Sequence, residues 1–466
     1  MSFFKDCDIR AKIGNADNEL NGEKAFLLGK TIGTIITSKN YNYSNEIVIG
    51  GDIRLSTKVL KKELINGLLE SGGKVVDVSI CSTPFFYYAI DKLGIDNGIM
   101  VTASHNPKEF NGFKFVLGPI PVLKKDLEQI ESVYNSGRFV KKAGSIKRID
   151  LKSQYINFLK SFYNFKYNDK AVIDFSNGCN ILYFKEIADN YFSNIFYIND
   201  KLDGNFPGHV PNPAISENLS QLSGEVKRMG ADIGVCFDSD GDRVTFVDEK
   251  GEMVDNDKML IIIASYIIKN MSKYTEEKVV CETKSSIIIK EMMMKIGAYV
   301  ITEKTGHTYI KKRVVEEDAI CGGEITGHYF YRMLGGRDDG IISTLLVLKI
   351  LIEENKSIFK LASEIKSYYI TEDIRIPFDN EIRRDMFNKI KTDVIRKDLD
   401  VDLKDGIKVF MLDNSWALVR VSISEPLFSL RFEVKEKNKQ SEIIDIFLES
   451  VPALKNRVKS KLGLCK

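Results

Sequence analysis

The stretch EIVIGGDIRLSTKVLKKELINGLLESGGKVVDVSI, residues 46–80, decides the class of the fold. Residues 46–51 form a short β-branched run that reads as a buried strand. From Thr57 to Ser71, leucine and isoleucine recur at helical spacing with charges between them. Residues 74–80 return to β-branched residues. Strand, helix and strand in this order predict α/β layers with mostly parallel strands, and the alternation continues along most of the chain. The C-terminal part differs. WALVRVSISEP (416–426) and FSLRFEVKE (428–436) alternate apolar and polar residues, which predicts a smaller antiparallel α+β module. The expected domains are 1–150, 151–255, 256–370 and 371–466, with KKAGSIKRIDLKS (141–153) as a polar linker.

At roughly 100–200 residues per domain, a chain of 466 residues predicts three or four domains. Lys and Arg total 67 against 65 for Asp and Glu, a net charge of +2. So balanced a chain has no global field for a nucleic-acid backbone or an anionic membrane. The apolar run from Met259 to Ile268 is too short to span a bilayer. The opening MSFFKDCDIR has no signal-peptide core. Seven cysteines without CxxC spacing indicate neither a disulfide framework nor a zinc knuckle, and a reducing cytoplasm is expected.

Three segments echo one another: NGIMVTASHNP (97–107), ADIGVCFDSDGD (231–242) and DAICGGEITGH (318–328). Each feeds a run of small apolar residues into a loop crowded with reactive side chains. Three related α/β units presenting strand C-termini to one cleft would produce this, since ligands of open α/β sheets bind there. Two other patterns fail. Gly29-Lys30-Thr31 lacks the P-loop glycine, Lys24 standing in its place. The spacing of Asp238, Asp240, Asp242 and Glu249 imitates an EF-hand, but Arg243 stands where glycine is required and strands flank it.

In DSDGDR (238–243), three carboxylates at alternate positions demand a cation. Their hard oxygens favour Mg²⁺ or Ca²⁺ over the alternative of a solvated acidic turn. TASHNP (102–107) offers Ser104 as a nucleophile or phosphoryl carrier, or else an ordinary turn before proline. A glycine turn in EFNGFK (109–114) would aim Lys114 back at the same site. In GGEITGH (322–328), Glu324 and Thr326 are expected on one side of extended backbone, suited to two adjacent sugar hydroxyls, with KTGH (304–307) nearby. Arg420, Ser422 and Ser424 share one strand face. Arginine provides a rigid fork for phosphate oxygens, although a plain surface strand reads the same way.

These four loops, in this order, resemble those of the α-D-phosphohexomutase family, which includes phosphomannomutases and phosphoglucomutases. GDIRLS (51–56), STP (82–84), FPGHVPNP (206–213) and DDG (338–340) add to the resemblance, which runs over essentially the whole chain. It implies three related α/β domains and a smaller fourth around a central cleft. It further implies that Ser104 carries the phosphoryl group, and that Asp238, Asp240 and Asp242 bind Mg²⁺ together with that phosphate. Glu324 and Thr326 would hold sugar hydroxyls, and Arg420, Ser422 and Ser424 the non-reacting phosphate. Arg10, Lys114, Arg243, Lys284, His307 and His328 match charged or proton-handling positions of the cleft. His105 is expected to hydrogen-bond its loop, and His209 to be structural. Ala11 stands where glycine is common, Cys7 where tyrosine is frequent, Thr326 for serine and Ser424 for threonine.

The implied reaction is reversible phosphoryl transfer between C1 and C6 of a hexose phosphate. It would proceed through phosphoserine and a bisphosphorylated sugar, primed by a hexose 1,6-bisphosphate. Mannose phosphates lead, with glucose phosphates accepted. Phosphoglucosamine mutase is the first rival, and a catalytically silent sugar-phosphate-binding protein the second. A small hexose phosphate is the expected partner, without nucleic acid, membrane or obligatory protein partner.

Overall fold

The computed structural model describes residues 3–5, 7–38, 41–119, 121–162, 164–272, 274–421 and 426–464, except the side chains of residues 189 and 380. Four sheets follow one another along the chain. The first is six-stranded, in the order Ile9–Lys12, Phe110–Leu117, Asn97–Val101, Glu46–Gly51, Lys74–Ile80, Ser145–Arg148. The second is four-stranded, in the order Val244–Asp248, Ile233–Phe237, Tyr167–Asp174, Phe192–Ile198. The third is five-stranded, in the order Tyr299–Glu303, Lys278–Glu282, Cys321–Gly323, Tyr329–Tyr331, Arg337–Asp338. The fourth is an antiparallel sheet of strands between Tyr369 and Val434. This is the expected architecture of three mixed α/β domains and a C-terminal α+β domain.

The echo in the sequence is a repeated hairpin. Asn97–Val101 runs parallel to its inner neighbour, passes through the serine loop and returns antiparallel as Phe110–Leu117. Ile233–Phe237 does the same through the aspartate loop to Val244–Asp248. Cys321–Gly323 does so through the glutamate loop to Tyr329–Tyr331. Every residue of the two longer outgoing strands is buried, as expected for strands covered on both faces. Three loops of one kind therefore open at strand C-termini.

Three local expectations are corrected. Residues 145–148 are an edge strand paired with Lys74–Asp77, not part of a linker. All four of its residues are exposed, so no burial alternation marks it in the sequence. Lys114 does not follow a glycine turn; it lies within strand Phe110–Leu117, opposite Met100. Gly112 serves a close crossing instead, since a Cβ there would meet the Ile9 carbonyl oxygen at 2.1 Å. Residues 324–327 are not extended. The Gly327 N–H donates to the Glu324 oxygen at 3.1 Å and Gly327 has φ 87°, which makes a tight reversal.

One apolar cluster runs from Val48 to Ile365 through the first three domains and joins them, and each of the three also has a cluster of its own, that of the first running from Phe3 to Ile130. The C-terminal domain has its own, between Ile374 and Val458. Tyr155 ties the second domain to the third by donating to Asp339 Oδ2 at 2.5 Å, where Asp339 caps helix Gly340–Glu354. Among the described residues no helix is long and apolar enough to cross a membrane. The described cysteines 7, 81, 179, 236, 281 and 321 form no disulfide with one another; Cys465 lies outside the described residues.

Candidate active site

Ser104 is fully buried and has φ 50°, a left-handed conformation that a side chain resists. Its neighbours impose it. The Ser104 N–H donates to Thr102 Oγ1 at 2.8 Å, and that hydroxyl donates to Asp52 Oδ2 at 2.7 Å. Arg54 holds the loop from behind with every N–H of its guanidinium. Nε donates to Asp52 Oδ2 (3.1 Å) and Nη1 to the Pro107 and Phe110 oxygens (2.7 and 3.0 Å). Nη2 donates to the Ser104 and Asn106 oxygens, both at 2.6 Å. The guanidinium also lies over the Phe206 ring, 5.0 Å from its centroid, which joins FPGHVPNP to the serine loop. Thus positioned, Ser104 Oγ donates to Asp238 Oδ2 at 2.8 Å and lies 3.3 Å from His105 Nδ1.

The aspartate loop is gripped by all three α/β domains. Thr83 donates from its N–H to the Asp240 oxygen (2.8 Å) and from Oγ1 to Asp240 Oδ2 (2.6 Å). Ser239 Oγ donates to the Ser104 oxygen at 2.6 Å. Asn180 Nδ2 and the Gly340 N–H both donate to the Gly241 oxygen, each at 3.2 Å. The Val244 N–H donates to the Gly327 oxygen at 3.0 Å, and Arg243 and His328 form a backbone bridge, joining this loop to the glutamate loop.

Carboxylate oxygens of Asp238, Asp240 and Asp242 lie within 4.8 Å of one another, and all three residues are buried. Lys114 Nζ lies against two of them, 2.8 Å from Asp240 Oδ2 and 2.5 Å from Asp242 Oδ2. Burial and then the neighbouring carboxylates push Asp238 well above the usual carboxylate range. Against burial, Lys114 holds Asp240 and Asp242 below it. Asp240 Oδ1 and Asp242 Oδ1 are buried with no hydrogen-bond partner among the described residues. Such groups cost about 1–3 kcal/mol each unless something binds them. An all-oxygen set with orphaned carboxylate oxygens fits a hard divalent cation.

Arg243 Nε donates to His328 Nε2 at 2.8 Å, so that nitrogen is the acceptor and the ring proton sits on Nδ1, 2.7 Å from Asp338 Oδ2. Arg10 reaches the serine loop, donating to Asn106 Oδ1 at 2.7 Å and Asp8 Oδ2 at 2.6 Å. His105 and His307 are held neutral, first by burial and then by surrounding cations, of which Arg243 leads for His105 and Lys114 for His307. Glu324 Oε1 accepts from the Gly306 N–H at 3.0 Å, docking KTGH beside it. Burial, then Glu282, raises Glu324 to about 7. Thr326 Oγ1 is buried with no hydrogen-bond partner among the described residues.

Lys284 and Arg420 point at protein carboxylates, Asp373 and Asp405 respectively, each of which belongs to the C-terminal domain. Ser422 and Ser424 lie outside the described residues. His209 lies away from these loops: Nε2 is 3.0 Å from Asp174 Oδ2 and Nδ1 2.8 Å from the Val210 oxygen. Arg54, Thr83, Asp338, Asp373 and Asp405 escaped the reading of the sequence as individual contributors. Arg54, Thr83 and Asp338 do lie inside the matched segments GDIRLS, STP and DDG.

Comparison with known proteins agrees with this geometry. Family models described as phosphoglucomutase/phosphomannomutase, alpha/beta/alpha domains I, II and III, match residues 1–141, 153–251 and 255–368. The chain is 30% identical over 447 residues to a phosphomannomutase/phosphoglucomutase of Pseudomonas syringae pv. tomato, covering 96% of this chain and 94% of that one. It is 34% identical over 457 residues to a phosphomannomutase of Methanocaldococcus jannaschii, covering 96% of each. The crystal structure of a phosphoglucomutase/phosphomannomutase family protein from Burkholderia thailandensis superposes with a TM-score of 0.87 at 27% identity, covering 97% of both chains.

Proposed function

The chain belongs to the phosphoglucomutase/phosphomannomutase family and is a phosphohexomutase, and from that premise we propose that it interconverts mannose 6-phosphate and mannose 1-phosphate and acts also on glucose phosphates. The observation that carries the reading is the 2.8 Å contact of Ser104 Oγ with a three-carboxylate cage, beside the ammonium of Lys114. In this proposal Ser104 bears the phosphoryl group. Asp238, Asp240 and Asp242 would hold Mg²⁺, which when bound neutralises charge on the transferring phosphoryl oxygens.

The sugar hydroxyl attacks phosphorus, the bond from phosphorus to Ser104 Oγ breaks, and a bisphosphorylated sugar forms. In the second half the other phosphate passes back to Ser104. His328 is set to accept the hydroxyl proton at Nε2, once Arg243 turns to the phosphate, because that nitrogen already accepts from Arg243 while the Asp338 carboxylate lies 2.7 Å from Nδ1. Lys114 and Arg243 neutralise phosphoryl charge, and Arg10 braces the serine loop. Glu324, Thr326 and His307 receive the sugar; Lys284, Arg420, Ser422 and Ser424 receive its distal phosphate. A hexose 1,6-bisphosphate primes Ser104. The proposed domain cuts fall near 150, 255 and 370, and the proposed location is the cytoplasm.

Coupled assays with mannose, glucose and glucosamine 1-phosphates, each with Mg²⁺ and a bisphosphate primer, test the substrate assignment. Turnover of the first two well above the third is expected. Comparable turnover of glucosamine 1-phosphate would make the protein a phosphoglucosamine mutase instead.

A further inference from the structure

The Asp405 carboxylate takes the Arg420 guanidinium from the side: Nη2 donates to Oδ1 at 2.9 Å, and Oδ2 lies 2.8 Å from Nε as an ion-pair contact whose N–H makes no hydrogen bond among the described residues. Arginine binds phosphate through this same edge of its guanidinium. Asp405 therefore occupies the very fork that the distal phosphate needs. The chain builds this contact deliberately close. Ile407 pairs with Val419 across the hairpin, which brings Gly406 opposite Arg420. Gly406 has φ 104°, and a Cβ there would meet Arg420 Cγ at 2.8 Å. Asp405 is also anchored independently of the arginine, because its Oδ2 accepts the Thr305 N–H at 2.8 Å. Thr305 belongs to the KTGH loop of the third domain. When Arg420 leaves, the carboxylate stays in place as a fixed competitor.

The pair is accessible enough to exchange: the side chains are 17% and 14% exposed. The second cation of this wall repeats the pattern, Lys284 Nζ donating to Asp373 Oδ2 at 2.7 Å. A mutase that reorients its intermediate must release the distal phosphate once in every cycle. A grip equally tight throughout lowers KM but traps the bisphosphate. We propose that Asp405 is a positioning residue that competes with the substrate's distal phosphate for Arg420, keeping the bisphosphorylated sugar loosely enough held to turn between half-reactions. This rests on the reading of Arg420 as the distal phosphate's ligand.

The test uses the full-length protein with Mg²⁺, reading glucose 6-phosphate affinity by calorimetry together with kcat and KM. Asp405→Asn keeps an oxygen for the Thr305 N–H and removes the charge. The expected result is glucose 6-phosphate binding about fivefold tighter, with KM and kcat both lowered by a similar factor. Asp405→Glu should restore both toward the wild type, and Asp405→Ser serves as the charge-free variant if Asn does not fold. Weaker or unchanged binding in the charge-free variants overturns the competition, provided that Arg420→Ala weakens binding about tenfold or more. If Arg420→Ala leaves binding unchanged, the assignment of the phosphate subsite fails first, and the proposal with it.

Discussion

Arg54 Nη2 donates to the main-chain oxygen of Ser104 at 2.6 Å, so the phosphoryl carrier is placed by a guanidinium behind its backbone. Lysine cannot reproduce this arrangement, having one ammonium where five N–H bonds are spent on fixed acceptors. Arg54→Lys is expected to fold, with kcat down by about 100-fold and KM within about threefold, because orientation of the reacting group is lost and sugar contacts are kept. Steady-state kinetics alongside a melting curve check this. A kcat within a few-fold of wild type would show that the serine loop holds its own shape.

Gly241 turns the aspartate loop with φ 78°, and a Cβ there would meet Asn180 Oδ1 at 2.2 Å. Gly241→Ala should displace the three carboxylates from one another. The expected outcome is a cation requirement shifted to at least about tenfold higher Mg²⁺, read from activity against metal concentration. Chelation of the wild-type protein should abolish turnover, and added Mg²⁺ should restore it.

Tyr155 and Asp339 join the second and third domains through a buried bond to a carboxylate that burial raises to about 6. Tyr155→Phe removes the hydroxyl and leaves the shared core. A loss of about 2 kcal/mol in denaturant unfolding is expected, with KM unchanged.

Lys408 provides a pH test at the junction of the third and fourth domains. Its Nζ donates to the Thr283 oxygen at 2.8 Å and lies over the Trp416 ring, 3.8 Å from its centroid. Burial lowers it from the ordinary 10.5 to about 8, against the pull of Cys281, Glu433 and Asp257. Between these two values the unfolded chain binds more protons than the folded one, so stability from this group rises with pH. The penalty is full below about pH 8 and fades toward 10.5. The melting-temperature advantage of Lys408→Met over wild type should therefore shrink from pH 7 to pH 10. A constant difference would show that Lys408 does not titrate in this window.

Much of this was legible in the sequence because buried parallel strands are mostly apolar and reactive loops interrupt them abruptly. Asn97–Val101 followed by TASHNP and Ile233–Phe237 followed by DSDGDR are both of this kind. The strand at 145–148 was not legible, since an edge exposed on all sides leaves no periodicity. The turn at 324–327 was missed because alternate polar residues look the same on a strand and in a Gly-closed reversal. Asp405 carries no local signal at all. Its meaning comes from a hairpin register that brings it to Arg420 and from a backbone N–H of another domain. Arg54 was visible only as part of a matched segment, because its acceptors are main-chain oxygens, which no residue type announces.

The account stands most directly on where the phosphate goes. Incubation with glucose 1,6-bisphosphate and Mg²⁺, followed by peptide mass spectrometry, should place a single phosphoryl group on Ser104, and Ser104→Ala should neither take up phosphate nor interconvert hexose phosphates. Phosphate found on another residue, or a Ser104→Ala variant of undiminished activity, would contradict it.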